Sequence, residues 1–178
     1  MKFFYVILFL LPLMAQGQRF NNKKSQTMKI RHVMGQKSVD LSVGLSGYGG
    51  ALGSIYYSQF IKNNLYWKAG GGYEFKNSTG DIRYTSAFMD GLGGLTITDK
   101  GSLFLNVIGG ITLAMDNVSG IDTSKKKSGF IYGGVIGLEG EFYLVNNIIF
   151  VISGTQRIII PKEFDDRWYI SAGLKFKL

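Results

Sequence analysis

The chain of 178 residues contains no cysteine, only two prolines and a single histidine. Without thiols there can be no disulfide staple, thiolate metal site, cysteine nucleophile or lipidated cysteine. His32 sits in a polar leader ahead of the first regular pattern, so a Ser-His-Asp triad on the folded body is excluded. Charge is also scarce, at 18% of residues against the usual quarter. No apolar run reaches the roughly 18–20 residues of a membrane-crossing helix. What the chain has in excess is glycine, 25 residues, beside 13 Phe and 10 Tyr. Each helical glycine costs about 1 kcal/mol relative to alanine, which argues against a helical protein. The aromatic and aliphatic content is too high for intrinsic disorder. A one-domain, glycine-rich and aromatic-rich β protein remains.

Residues 1–17 read as a signal peptide. Met1-Lys2 precedes an apolar run from Phe3 to Met14, and Ala15-Gln16-Gly17 offers small residues for cleavage after Gly17, with Ala15 as the alternative. Residues 18–37 carry Lys23, Lys24, Lys29, Arg31, His32 and Lys37 and are expected to be a basic, flexible segment with His32 solvated. From 38 to 178 the hydrophobic period becomes two. Leu65, Trp67, Ala69, Gly71, Tyr73 and Phe75 alternate with Tyr66, Lys68, Gly70, Gly72, Glu74 and Lys76, as a strand with two different faces requires.

Eight such segments follow one another, with a break expected in the fourth near Gly93-Gly94. The gaps alternate between longer loops and turns of two or three residues rich in Asn and Gly, such as Asn63-Asn64. An even strand number with short turns at one end describes a closed, antiparallel, up-and-down, eight-stranded outer-membrane-type β-barrel. A lipocalin-like soluble barrel would alternate equally well. The polar face decides between them: Gly, Ala and Ser outnumber charges on it, which suits a narrow interior better than a wetted surface. Aromatics near the strand ends, Tyr66, Trp67, Phe142, Tyr143, Trp168 and Tyr169, are assigned to the interfacial girdles.

The chain closes on Gly173-Leu174-Lys175-Phe176-Lys177-Leu178, in which Gly173, Phe176 and Leu178 resemble the C-terminal signature read by bacterial barrel-assembly machinery. The stretch from Phe130 to Leu144, with its Tyr-Gly-Gly, Leu-Glu-Gly-Glu and Tyr-Leu elements, resembles the TraO family of conjugative transposon proteins of Bacteroides-type bacteria. Gln156-Arg157, Ala172 to Phe176, Ile108-Gly109-Gly110 and Tyr56 to Gln59 have counterparts in that family as well. The resemblance implies a non-catalytic accessory or scaffold component of a conjugative DNA-transfer apparatus. Its implied partners are other proteins of the apparatus, beside outer-membrane lipid and the assembly machinery. A small adhesive or protective outer-membrane barrel is the alternative, and a lipocalin-like binder of apolar ligands a weaker one.

No cofactor, metal or small-molecule substrate is expected. Glu163, Asp165 and Asp166 supply too few oxygens for a hard cation and read as a solvated loop. Lys125-Lys126-Lys127 reads likewise, without direct nucleic-acid binding. The residues singled out are the inward-facing charges Asp40, Lys68, Glu74, Glu139, Glu141, Arg157, Lys175 and Lys177. An unpaired charge in a narrow lumen is costly, so they are expected to pair across the barrel. Glu139 or Glu141 is expected to meet Arg157, or Lys175 across the closure seam.

Overall fold

A computed structural model describes residues 32–47, 49–77, 83–119, 127–160 and 167–178. Eight strands follow one another: β1 (Lys37–Ser46), β2 (Ala51–Lys62), β3 (Leu65–Asn77), β4 (Arg83–Lys100), β5 (Leu103–Ser119), β6 (Lys127–Val145), β7 (Ile148–Ile159) and β8 (Arg167–Lys177). Each pairs antiparallel with its neighbours in chain order, and β8 closes on β1 from Ser38 opposite Lys177 to Ser46 opposite Tyr169. Closure leaves no strand edge with unpaired backbone groups, which is the condition for crossing lipid with strands. The signal segment, Lys125, Lys126 and the 163–166 loop lie outside the described residues.

The short turns at 63–64, 101–102 and 146–147 all lie at one end of the barrel. Gly101 supplies the positive φ, +69°, that the β4–β5 turn needs. Three register shifts, at Phe60/Lys62, Thr96/Thr98 and Tyr143/Val145, sit beside these same turns. Such bulges add local twist where the strands must reverse.

Strand β4 is continuous, contrary to the break expected near Gly93-Gly94. Tyr66 stands directly opposite Gly94 on β3, and its ring occupies the space a side chain would take. The glycine is therefore a seat for an aromatic ring and leaves the strand intact. Gly72 does the same for Phe88, whose Cζ lies 2.5 Å from where a Cβ would stand.

The two faces differ as the alternation implies. Val43, Met89, Ile111, Phe130 and Met115 are all more than 60% exposed on the outside. So extensive an apolar surface is untenable in water and suits lipid. Inside lie apolar clusters, among them Leu52, Phe88, Ala114, Ile131, Ile159 and Tyr169 toward the long-loop end. Phe104, Tyr143, Ile149 and Val151 pack near the short turns. Charged and hydroxyl side chains fill the remainder of the interior. A barrel that is apolar outside and charged inside is the reverse of a soluble lipocalin-like barrel.

Candidate functional site: a tiered ionic lumen

Parity along each strand determines which charges enter the lumen, and closure determines which of them meet. The tier nearer the short turns gathers residues from β1, β3, β6 and β8. Lys68 Nζ lies 2.7 Å from Asp40 Oδ2 and 2.7 Å from Glu139 Oε2. Lys175 Nζ lies 3.0 Å from Glu139 Oε1, 2.5 Å from Glu141 Oε1 and 3.7 Å from Asp40 Oδ2. Tyr66 donates to Glu139 at 3.1 Å, and Asn106 donates to Glu141 at 3.1 Å while accepting from Thr96. Three carboxylates and two ammoniums, all buried, thus share one hydrogen-bonded cluster. Such a cluster offsets the desolvation of its members only while all of them are present.

A second tier lies toward the long loops. Arg157 Nη2 lies 2.7 Å from Asp90 Oδ2, which also accepts from the Tyr56 hydroxyl at 2.5 Å. The guanidinium plane covers the Phe88 ring at 3.6 Å and the Tyr169 ring at 4.6 Å. Arginine fits here because it stacks and hydrogen-bonds with one planar group. The third tier pairs Arg167 with Asp116 through both guanidinium Nη atoms, and Tyr84 donates to Asp116 Oδ1 at 3.1 Å. Between the first two tiers is a cavity of about 40 Å³ lined in part by Ser42, Ser54, Ser153, Ser171 and Thr155. That volume holds about three waters and is no channel.

Each singled-out charge has a definite place. Asp40, Lys68, Glu139, Glu141 and Lys175 form the first tier. Glu139 and Glu141 both meet Lys175, whereas Arg157 goes to Asp90 in the second tier. Contrary to the expected pairing, Glu74 and Lys177 are in no ion pair among the described residues; Glu74 accepts a hydrogen bond from Tyr169 at 2.9 Å. Lys177, half-buried near the mouth, sits 4.3 Å from the centre of the Tyr143 ring. Sequence reasoning left Asp90, Asp116 and Arg167 out of the set. Asp90 was obscured by the supposed break in β4, and Arg167 stands one residue before the expected start of β8. Continuing the alternation through both places points Asp90 and Arg167 inward, and Asp116 already stood on the polar face of its strand.

Two readings are corrected. Tyr66, Tyr143 and Tyr169 are buried in the lumen and are not girdle residues. Their chain neighbours Trp67 and Trp168 face outward, and Phe142 lies on the same outer face as Phe150, 6.4 Å between ring centres. Consecutive strand residues point to opposite faces, so only one member of each adjacent aromatic pair can reach lipid. Trp67 stands near the short-turn end beside Tyr57, at 5.4 Å, and Trp168 stands near the long-loop end. The second correction concerns His32, which is 2% exposed and is neither solvated nor part of a loose leader. Aromatic residues of β2, β5 and β6 enclose it at the mouth of the lumen.

At the C-terminus Gly173 faces the lumen, while Phe176 and Leu178 lie outward two residues apart. The Leu178 N–H donates to the Lys37 carbonyl at 3.0 Å, which ties the end of the chain to the closure seam.

The family described as conjugative transposon protein TraO matches residues 107–178. The matched part runs from within β5 through β8 and carries Glu139, Glu141, Arg157, Arg167 and Lys175. It contains the Phe130 to Leu144 stretch, while Tyr56 to Gln59 lies outside it. The fold resembles the N-terminal β-barrel domain of Pseudomonas aeruginosa OprF, with a TM-score of 0.62 and 13% identity over 82% of this chain and 98% of that one. It also resembles a major outer membrane protein of Thermus thermophilus, with a TM-score of 0.57 and 10% identity over 80% and 98% of the two chains. Ail, the attachment invasion locus protein of Yersinia pestis, gives a TM-score of 0.53 and 12% identity over 81% and 100%. At these identities the likeness is one of fold. The chain is an outer-membrane-type β-barrel, and these neighbours support an outer-membrane location. No curated protein matches the sequence.

Proposed function

We propose that the chain is a non-catalytic accessory or scaffold barrel of a conjugative DNA-transfer apparatus in the outer membrane. The observation that carries this reading is the TraO match over residues 107–178, which falls on four consecutive strands of the barrel. The lumen supports a structural role: most of its charges are engaged with one another, and the cavity between tiers is too small for a transported substrate. Export through residues 1–17, short turns and termini on the periplasmic side, and insertion by the barrel-assembly machinery through Gly173, Phe176 and Leu178 complete the proposal. Its partners are outer-membrane lipid and other proteins of the apparatus, contacted through rims and loops, without direct contact to DNA.

Membrane fractionation combined with a mating assay tests this. Deleting the gene should leave growth intact and lower DNA transfer by at least tenfold, with recovery on complementation. The protein should co-fractionate with outer membrane and migrate differently in detergent gels with and without boiling. Unchanged transfer from the deletion strain removes the conjugation role.

A further inference from the structure

The interior of the barrel is closed at the short-turn end by a segment that belongs to none of the eight strands. His32 stacks on Phe60 with 4.2 Å between ring centres and 14° between planes. Phe104 packs against it at 4.4 Å and Tyr143 at 5.9 Å. Its Nδ1 lies 3.2 Å from the Tyr143 hydroxyl, and its Nε2 lies 3.1 Å from Glu141 Oε2. The imidazole therefore has the Phe60 ring on one flat side, the tilted rings of Phe104 and Tyr143 around it, and a polar atom near each nitrogen. Its backbone is fixed as well. The Gly35 N–H donates to the Phe60 carbonyl at 2.8 Å, and the Phe60 N–H donates to the Gln36 carbonyl at 3.0 Å. Gly35 takes φ +82°, the left-handed turn that brings the chain back over the mouth.

We propose that His32 to Gln36 form a captive lid, held by a built pocket for an imidazole group, and that this lid separates the first ionic tier from the water at the mouth. Charge and shape both favour that ligand class. Glu141 gives one oxygen to Lys175 and turns the other toward His32, so the pocket offers a carboxylate edge between apolar rings. Nε2 faces Glu141 Oε2 at 3.1 Å as a close polar contact without hydrogen-bond alignment, whereas Nδ1 is within hydrogen-bond distance of the Tyr143 hydroxyl. The lid therefore rests on shape, the Tyr143 hydrogen bond and the nearby carboxylate. Beside it lies a groove of about 230 Å³, lined by His32, Asn63, Asn64, Thr96 and Phe104 among others.

The lack of any native cysteine makes a direct test available. Ser38 is fully buried on β1 just inside the mouth, bonded to the Ser58 hydroxyl at 2.9 Å. In the purified full-length barrel in detergent, Ser38→Cys should react slowly with a charged thiol reagent. Adding His32→Ala should speed the reaction at least tenfold, and free imidazole at millimolar concentration should slow it again. Gly35→Pro, which removes the donor to Phe60 and forbids the positive φ, should speed the reaction without emptying the pocket. Gel mobility before boiling shows that each variant is folded. Equal rates with and without His32, or an acceleration in the His32→Ala variant that imidazole does not reverse, overturn the proposal. Since each readout is made on the isolated barrel, failure here leaves the conjugation assay unaffected.

Discussion

Replacing Lys175 with methionine keeps most of the side-chain stem and removes the ammonium that touches three carboxylates at once. Glu141 loses its 2.5 Å partner, Glu139 keeps only Lys68, and Asp40 loses its more distant contact at 3.7 Å. Three buried acids then face one buried ammonium, with Asn106 and Tyr66 as neutral donors and the His32 imidazole beside Glu141. Removing one partner of a buried ion pair typically costs about 3–5 kcal/mol, against at most about 1 kcal/mol for an exposed pair. The Lys175→Met barrel should therefore unfold in urea at a clearly lower midpoint, read from the fluorescence of Trp67 and Trp168 and from gel mobility without boiling. The loss should approach the upper end of that range, because more than one acid is stranded. Adding Glu141→Gln removes the acid that loses most, and the double variant should regain at least about 1 kcal/mol of what the two single losses would sum to. A loss below about 1 kcal/mol, or strictly additive single losses, would refute the view that the first tier acts as one cooperative unit.

Other expectations follow from the same geometry. Ile111→Arg places a cation midway along β5 on the lipid face, 65% exposed, and should cost about 2–4 kcal/mol in lipid, measured by urea unfolding in vesicles. Gly94→Ala drives a methyl group into the Tyr66 ring and should cost about 1–3 kcal/mol; a neutral effect would mean that the ring moves aside freely. Arg157→Lys keeps the charge but loses the stack on Phe88 and Tyr169, so it should be less stable than wild type although Asp90 keeps a cationic partner. Removing Leu178 and replacing Phe176 with serine should lower the amount of barrel in the outer membrane without lowering synthesis, read by fractionation and immunoblot.

The strand count, the order of short and long connections and the identity of the outward face were legible because each rests on local rules. A period of two, a tight turn and a polar face rich in small residues need no knowledge of distant residues. The glycines were nonetheless misread in one place. Gly93-Gly94 has the local signature of a break, and only the placement of Tyr66 on the neighbouring strand shows why the strand continues. The girdle was half legible for a different reason. Composition marks Tyr66-Trp67 and Trp168-Tyr169 as end-of-strand aromatics, but alternation sends one of each pair inward.

The sequence by itself determined the fold class and, through parity, which side of the wall each strand residue faces. Which charges become partners was decided by the tertiary structure. Parity says that Glu139, Glu141 and Arg157 all point inward. The stagger of strands around a closed barrel then sets their height along the axis, and it puts Arg157 level with Asp90 and Lys175 level with the glutamates. His32 lies further still from what the sequence can show. Nothing local separates a solvated histidine from one seated between aromatic rings, because Phe60, Phe104 and Tyr143 come together only when the barrel closes.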